Sequence, residues 1–350
     1  MSVVDYTVAA VSISDRRLQS AVDALLFQEG IRRDGHIDYV CGVFDEDGLL
    51  CATGSCYANT LRCLAVSSAH RGEGLMNLVV SHLCEVQAAR GNSHIFLYTK
   101  PGYAGIFSTL GFYEVTAVPG KLIFMENRRS GFDKWLSSLQ RPSSPCRKIS
   151  AVVMNAAPFT LGHRFLLEKA CEASDAVHLF VLSEESGPIP SEDRFQMVRY
   201  GIADLDKVIL HKSGPYIISS ATFPEYFLDG PDEVSSVHAE LDIAVFSEIS
   251  SALGISERFV GEEPFSHVTE IYNRVMREKL PASGIVCNVI PRFAPGGKVI
   301  SAGQIRQLIH AGEFDAAYSM LPPSTAAYLS SPAGSRIIAA IQACADPVHH

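Results

Sequence analysis

The chain has 350 residues, of which 47% are hydrophobic and 19% are charged. These proportions are those of ordinary globular proteins, and they exclude a disordered or fibrous chain. A formal net charge of −9 gives no overall attraction to nucleic acids or anionic membranes, so we expect neither as a partner. The length exceeds the usual size of a single hydrophobic core, and we therefore expect two domains.

The N-terminus and the cysteines bear on the compartment. The opening MSVVDYTVAAVSISDRR lacks the basic segment and long apolar core of a signal peptide, and no run approaches the roughly 20 apolar residues that span a bilayer. Nine cysteines, without a C-x-x-C pair, argue against a disulfide framework and against a zinc site of standard spacing. We expect a cytoplasmic protein with free thiols and with no metal-ligating side chains.

The first half of the chain alternates strand and helix patterns. A β-like run at 6–11 is followed by apolar residues at helical spacing, which begin after Ser14 and end at Gly30. The runs DYVCGVF and LLCATGSC, separated by DEDG, predict a β-hairpin with an Asp-Gly turn. A further strand near 60–66 leads to the segment RGEG and then to an amphipathic helix. The order predicts a mixed α/β domain.

The segment RGEG carries the first candidate binding residues, Arg71, Gly72 and Gly74. Glycine lets the backbone approach a ligand closely, and the free N–H groups at a helix start favour phosphate oxygens. We therefore expect these three residues to bind a phosphate group. An exposed turn that happens to begin a helix is the alternative.

The succession of elements from Asn59 to Val115 resembles the acetyltransferase fold of the GNAT superfamily, over roughly the first 125 residues. In the superfamily signature R-x-x-G-x-[G/A], Arg71 and Gly74 match, and Met76 stands where a small residue is usual. The resemblance implies that the turn holds the pyrophosphate of a coenzyme-A-like molecule. Many members use a tyrosine as general acid, whereas Phe107 stands at that position here and cannot donate a proton. We expect binding of a coenzyme-A-like arm without acetyl transfer by the usual route.

The second half predicts a parallel sheet. The runs KISAVVM, RFLLEKACEA and VHLFVLS give strand, helix and strand in the order of a βαβ unit, and the alternation continues beyond them. We expect an α/β chain with a GNAT-like mixed domain at 1–126, a linker at 127–147 and a doubly wound, Rossmann-like nucleotidyltransferase domain at 148–345. Ligands of such sheets bind at the carboxyl ends of the strands, where the segment MNAAPFTLGH lies.

This segment contains Thr160-Leu161-Gly162-His163, which resembles the [H/T]-x-G-H signature of the nucleotidyltransferase superfamily. The resemblance implies that His163 supports charge on the α-phosphate while a nucleophile displaces pyrophosphate. Thr160 would contribute a hydroxyl, and Gly162 would permit close approach of the nucleotide. Such chemistry needs mainly positioning and well-placed N–H or cationic donors.

A second segment, VISAGQIRQLI, resembles the I-S-S-T-x-x-R motif of the same superfamily. Ser301 and Arg306 match the motif, and Gly303 replaces the usual hydroxyl residue. The resemblance implies that both matching residues contact the triphosphate, with Arg306 acting at the reacting phosphates. Two motifs in the correct order favour nucleotide binding over coincidence.

Other candidates lie near these motifs or after predicted strands. The expected nucleotide-binding residues are Asn155, Pro158, Phe159, Gly261 and Glu262, and for the last two a structural turn is the alternative. The expected substrate-binding residues are Ser219, Ser220 and Thr222, for which capping or turn packing is an equal alternative. Candidate phosphate partners are Arg194 and Lys212, with surface charge as the alternative. Candidate Mg²⁺ or ribose contacts are Glu240 and Asp242, with helix capping or salt bridging as the alternative.

The segments YIISSATFPEYFLDG, VHAELDIAVF and RFVGEEPFSHVT, together with the two motifs and the first domain, resemble the citrate lyase ligase family along nearly the whole chain. The resemblance implies activation of acetate by ATP to acetyl-adenylate, and the polyphosphate of ATP in turn implies Mg²⁺. It further implies acetylation of the phosphoribosyl-dephospho-coenzyme-A thiol on the acyl carrier subunit of citrate lyase, which switches the lyase on.

The sequence leaves four alternative functions open. The chain could be an adenylyltransferase for a phosphorylated cofactor precursor, or a ligase for another acyl carrier such as that of malonate decarboxylase. It could also be an acetyl-coenzyme-A-dependent acetyltransferase, against which Phe107 argues. A nucleotide-binding regulator that binds an acyl carrier without turnover is the fourth alternative.

Overall fold

The computed structural model describes residues 5–185, 187–217, 223–228, 230–262, 267–297 and 299–346, with the backbone alone at 267–269. The chain divides into two compact units. Unit 1 comprises Met1–Asp133 and Pro224–Val237, and unit 2 comprises Lys134–Phe223 and His238–His350. The division after Asp133 lies inside the predicted linker. No sequence pattern indicated that Pro224–Val237 belongs with the first half.

Unit 1 is built on a mixed sheet. Its strands within the described residues are β1 (Thr7–Ala10), β2 (Tyr39–Phe44), β3 (Leu50–Tyr57), β4 (Thr60–Val66), β5 (Phe96–Thr99), β6 (Tyr113–Val118) and β7 (Leu122–Glu126). Its helices are α1 (Arg16–Gln28), α2 (Leu75–Ala89) and α3 (Ala104–Thr109), and α4 (Gly131–Ser138) runs across the division between the units. Strands β2 and β3 pair antiparallel, as the Asp-Gly turn predicts.

The sheet of unit 1 opens between two of its strands. In the order β1-β2-β3-β4-β5-β7-β6, the neighbours β4 and β5 are parallel, and the other pairs are antiparallel. Only Thr60 with Phe96 and Leu61 with Leu97 are paired between β4 and β5. The strands part beyond these residues, and the gap forms a groove of about 500 Å³.

The two faces of this sheet have separate cores. On one face Val79 and Leu83 of α2 pack with buried residues of β2, β3 and β4. On the other face Val22 and Leu26 of α1 pack with Cys63 and Ala65 of β4. Helix α1 begins at Asp15, whose carboxylate accepts from the N–H groups two and three residues later. The predicted mixed α/β fold is confirmed.

Unit 2 is built on a parallel sheet. Its strands within the described residues are β8 (Ile149–Met154), β9 (Ala176–Val181), β10 (Val208–Lys212), β11 (Glu257–Gly261) and β12 (Val286–Ile290). Its helices are α5 (Leu161–Ala173), α6 (Ser191–Gly201), α7 (Pro231–Leu253, which begins in the segment assigned to unit 1), α8 (His267–Lys279), α9 (Ala302–His310), α10 (Phe314–Tyr318), α11 (Pro323–Leu329) and α12 (Pro332–Ala343).

The strand order β10-β9-β8-β11-β12 is that of a doubly wound sheet, and each of these neighbouring pairs is parallel. From β8 the chain winds first towards β9 and β10, and the later strands β11 and β12 lie on the other side of β8. The order therefore reverses between β8 and β11. The crevice outside the carboxyl ends of strands at such a reversal is where ligands bind in open α/β sheets. The predicted Rossmann-like sheet is confirmed.

Candidate active site

The loop after β8 places an imidazole at the start of α5. Thr160 is the N-cap residue, and its Oγ1 accepts from the His163 N–H at 3.2 Å. The His163 Nδ1 in turn accepts from the Thr160 N–H at 3.1 Å. The two side chains thus form a reciprocal capping box, which satisfies two helix-terminal donors. The motif fixes the imidazole through the helix cap itself.

The capping box also selects the tautomer of His163. Since Nδ1 accepts a backbone N–H, the neutral ring carries its proton on Nε2. The ring stacks on the buried Phe159, with centroids 5.9 Å apart and planes at 13°. Burial, and then the positive charge of Arg292, lower the pKa of His163 to about 4. The imidazole is therefore neutral at neutral pH and is an Nε2–H donor. Its side chain is enclosed enough to lower the pKa, while the residue as a whole keeps part of its surface exposed.

The two predicted motifs meet in the structure. A Cβ at Gly162 would lie 3.3 Å from the carbonyl oxygen of Ile300, so the backbone before α9 packs closely against the first turn of α5. Ser301 is the N-cap residue of α9, and its hydroxyl accepts from the Gln304 N–H at 3.1 Å. The N-termini of α5 and α9 are therefore neighbours. The helix dipole and the N–H groups at each N-terminus favour the binding of negative charge, so the two termini together suit a polyphosphate.

The carboxyl ends of β11 and β12 complete this crevice. Glu262, which directly follows β11, donates its N–H to Ile290 at 2.8 Å, and Arg292 Nε donates to the Glu262 carbonyl at 2.9 Å. Gly261 is exposed, and its carbonyl accepts from Asn273 at 3.3 Å. The predicted Gly261 and Glu262 thus lie at the strand reversal. Arg292 adds a cation whose charge acts on His163.

Sequence reasoning did not select Arg292. Its signal was its place two residues after the strand that ends at Ile290, where parallel strands present ligand-binding residues. Burial lowers the pKa of its guanidinium, which nonetheless stays charged at any physiological pH.

The groove of unit 1 brings together the residues predicted there. Arg71, Gly72 and Gly74 line it, as does Phe107. Gly72 has φ +87° and Gly74 has φ +78°, which only glycine adopts without strain, and Gly74 is the N-cap residue of α2. The exposed Arg71 pairs with Glu29 at 2.5 Å. A phosphate-sized anion would meet backbone N–H groups and one cation at this turn.

The comparisons with known proteins decide the family. The family model described as the citrate lyase ligase C-terminal domain matches residues 149–329. The protein named [citrate [pro-3S]-lyase] ligase from Klebsiella pneumoniae is 34% identical, over 91% of this chain and 94% of its own. The protein of the same name from Escherichia coli strain K12 is also 34% identical, over 92% and 93%. The chain belongs to the citrate lyase ligase family.

A solved structure also aligns with part of this ligase. The acyl-CoA N-acyltransferase from Pseudomonas aeruginosa is 16% identical and aligns over 36% of the ligase and 100% of its own chain, with a TM-score of 0.30.

Arg306 of the ligase packs against the loop after β8. It is 4% exposed, and its Nη1 donates to the Ala157 carbonyl at 2.5 Å, beside the cis peptide that joins Ala157 to Pro158. Pro158 and Phe159 are buried as well, and Phe159 supports the imidazole by stacking. These three residues hold the loop in shape. Their direct contact with nucleotide stays a prediction.

Arg194 of the ligase has a structural role that the sequence did not reveal. It is 0% exposed, so the surface-charge alternative is wrong for it. Its guanidinium donates to the carbonyl and side-chain oxygens of Asn155 and to the carbonyls of Leu182, Glu184 and Ile189. It therefore fastens the loop after β8 to the loop after β9.

The remaining charged candidates form ion pairs. Lys212 pairs with Glu192 at 2.6 Å on the surface, where such a pair contributes little. Asp242 pairs with Arg258 at 2.6 Å, and both are buried, so the salt-bridge alternative is correct for Asp242. Glu240 pairs with Lys279 at 2.9 Å. The predicted substrate-binding residues Ser219, Ser220 and Thr222 lie outside the described residues.

All nine cysteines fall within the described residues, and each is a free thiol. Across the same ranges, no three His, Cys, Asp or Glu side chains are grouped so that they could hold a metal ion. The helices of the described chain include none with the length and apolar character needed to cross a membrane.

Proposed function

We propose that the chain is an ATP-dependent, AMP-forming ligase that activates acetate as acetyl-adenylate. It then acetylates the phosphoribosyl-dephospho-coenzyme-A thiol on the acyl carrier subunit of citrate lyase. The observation that carries the proposal is the Nε2–H donor of His163, held by a capping box where the N-termini of α5 and α9 meet at the strand reversal. The names of the two relatives, which are ligases of citrate [pro-3S]-lyase, support the acceptor.

In the first half-reaction, a carboxylate oxygen of acetate forms a bond to the α-phosphorus of ATP. The bond from that phosphorus to the bridging oxygen breaks, and pyrophosphate leaves with the electron pair. His163 donates its Nε2–H to an α-phosphate oxygen as negative charge builds there, without changing its own protonation state. The N–H groups of the two helix termini and Arg292 hold the leaving phosphates.

Mg²⁺ accompanies the proposed ATP. Phosphate oxygens supply most of its ligands in such sites, with water and one or two carboxylates, so a dedicated protein cage is not required. Its charge would offset that of the triphosphate next to the exposed Glu262.

In the second half-reaction, the thiolate of the arm attacks the carbonyl carbon of acetyl-adenylate and forms a carbon–sulfur bond. The bond from that carbon to the phosphate oxygen of AMP breaks, and AMP leaves with the electron pair. The groove of unit 1 suits the arm, because Arg71, Gly72 and Gly74 meet its phosphates while the rest of the lining is largely apolar. The thiol must lose a proton in this step, so a general acid at position 107 is not needed. Free thiols throughout the chain fit a reducing, cytoplasmic setting.

Exchange of labelled pyrophosphate into ATP, without any carrier, tests the proposed function. Only adenylation of the carboxylate makes this exchange depend on acetate, so we expect exchange with acetate and none without it. Exchange that ignores acetate and instead requires phosphopantetheine would support the adenylyltransferase alternative. ATP binding with no exchange under either condition would support a regulator without turnover.

A further inference from the structure

A segment from the second half of the chain forms part of the groove in unit 1. Tyr226 and Phe227 line the groove together with residues of β4, β5 and α2. They belong to Pro224–Val237, which is part of unit 1 although residues 134–223, which belong to unit 2, separate it from the rest of unit 1 in the sequence. A groove formed by residues 5–133 alone would lack these two aromatic side chains.

The segment is fastened in place by Arg32. The Arg32 N–H donates to the Tyr226 carbonyl at 2.7 Å. The Arg32 guanidinium donates to the Leu228 carbonyl at 2.5 Å and to the Glu225 carbonyl at 3.2 Å. Three backbone carbonyls within four residues are thus bonded to one arginine, which determines the path of the segment.

The two aromatic side chains are placed differently. Tyr226 is 5% exposed and packs with residues of α1 and β4, and its hydroxyl donates to the Tyr98 carbonyl of β5 at 3.4 Å. Phe227 is only partly buried and meets the Tyr226 ring edge to face at 4.9 Å. Tyr226 therefore anchors the segment across the gap between β4 and β5, on the α1 face. Phe227 contributes a surface to the groove.

The rest of the groove indicates what it binds. At the start of α2 it presents Arg71 and the N–H groups of a glycine turn, which suit a phosphate. Away from this turn the lining is mainly apolar, with Leu64, Ile106 and Leu110 among its residues. A groove with a phosphate-binding turn at one end and a mainly apolar lining beyond it matches a pantetheine-type thiol arm. A volume of about 500 Å³ lies in the usual range for small-ligand sites.

We propose that Tyr226 and Phe227 are specificity-determining residues for the thiol arm, because they form the α1-side wall against which its pantetheine part packs. The proposal rests on the proposed function, in which the groove receives the arm. It makes recognition of the arm depend on a segment that the second half of the chain supplies. Adenylation of acetate does not use this wall.

Phe227→Ala tests the wall in the full-length ligase, with dephospho-coenzyme A as the probe. We expect the Kd for the probe, measured by titration calorimetry, to rise about tenfold through loss of apolar contact. Acetate-dependent pyrophosphate exchange should stay at the wild-type rate. The matched control is Phe27→Ala on α1, whose side chain is 82% exposed and does not line the groove, and it should change neither quantity.

Arg32→Ala provides a second test that leaves every groove side chain in place. Alanine keeps the backbone N–H that bonds Tyr226, but the carbonyls of Glu225 and Leu228 lose their guanidinium donor. This loss should loosen the segment and weaken binding of the probe in the same direction. Arg33→Ala is its control, since Arg33 pairs with Asp23 at 2.5 Å and the residues of the segment are not among its partners. An unchanged Kd in both Phe227→Ala and Arg32→Ala, or no binding of the probe to the wild type, would overturn the proposal. If the wild-type ligase shows no acetate-dependent pyrophosphate exchange, the proposed function itself is refuted.

Discussion

The imidazole of His163 serves the fold and the proposed chemistry with different atoms. Nδ1 completes the cap of α5, and this bond leaves Nε2 as the donor. Burial and the charge of Arg292 lower the pKa to about 4, so the ring stays neutral in the pH range where the ligase would work. A neutral donor needs no proton from solvent before each turnover. The geometry thus favours stabilisation of phosphate charge over general acid catalysis.

Thr160 is expected to act through His163. In Thr160→Val the hydroxyl that accepts the His163 N–H is lost, which should destabilise α5 by about 1 kcal/mol. The same hydroxyl lies 3.0 Å from Nδ1 of His163, so the imidazole loses one of its hydrogen-bond partners as well. The acetate-dependent exchange rate should therefore fall by roughly tenfold or more. Thr160→Ser keeps the cap and should stay near the wild-type rate. Exchange rates and urea unfolding of both variants check this expectation, and equal rates would show that the hydroxyl does not position the ring.

For individual residues, the sequence predicts where the motifs lie, but it does not predict which side chains surround them. The spacing of Thr160, Gly162 and His163 already predicts a helix start. Arg292 and Arg194 could not be assigned in the same way, because their roles depend on which loops the parallel strands bring together. An arginine in an exposed-looking helix pattern gave no sign that five oxygens surround it.

At the scale of elements, the loop after β8 depends on a buried arginine from α6. Replacing Arg194 by Met should remove bonds to oxygens of both loops and leave several buried carbonyls without a donor. Each such group costs about 1–3 kcal/mol, so we expect a loss of at least about 3 kcal/mol in the free energy of unfolding. Chemical denaturation of the full-length wild type and variant measures this difference in the free energy of unfolding.

Arg199→Ala is the matched control for this prediction. Arg199 lies on the same helix and is exposed, so its loss should change stability by no more than about 0.5 kcal/mol. Comparable stability of Arg194→Met and Arg199→Ala would show that the loops do not depend on the buried guanidinium.

Elements with a local pattern could be predicted, and contacts between distant segments could not. The βαβ order of β8, α5 and β9 follows from apolar runs, and the parallel sheet follows from their alternation. No local pattern predicts that Pro224–Val237 belongs to unit 1, because the residues PEYF do not indicate that Arg32 binds the carbonyls of this segment. The contribution of Tyr226 and Phe227 to the groove could therefore be recognised only in the structure.

At the scale of the whole molecule, buried imidazoles make stability depend on pH. His178 on β9 and His211 on β10 are buried and share a hydrogen bond of 2.8 Å between Nδ1 and Nε2. Burial, and then the charge of Arg141, lower the pKa of His178 to about 4, and burial and His178 lower that of His211 to about 4. An unfolded histidine has a pKa near 6.5.

The direction of this dependence follows from the lowered pKa values. Between pH 6.5 and 4 the unfolded chain binds protons that the folded chain does not, so acid favours unfolding. Each imidazole that stays neutral should cost on the order of 2 kcal/mol of stability between pH 7 and pH 5. In His178→Asn/His211→Asn the fall in the free energy of unfolding between these pH values should be smaller. The same fall in wild type and variant would show that the pair does not control acid stability.

The acetate-dependent pyrophosphate exchange rate of His163→Ala, measured without a carrier, tests directly whether the imidazole stabilises the α-phosphate. We predict a fall of about 10²–10³-fold, as for the loss of one donor to developing charge, with only the small loss of stability expected from a weakened cap. The control His310→Ala removes an exposed imidazole at the far end of α9 and should retain the wild-type rate. A folded His163→Ala variant that exchanges at the wild-type rate would show that the imidazole does not support adenylation.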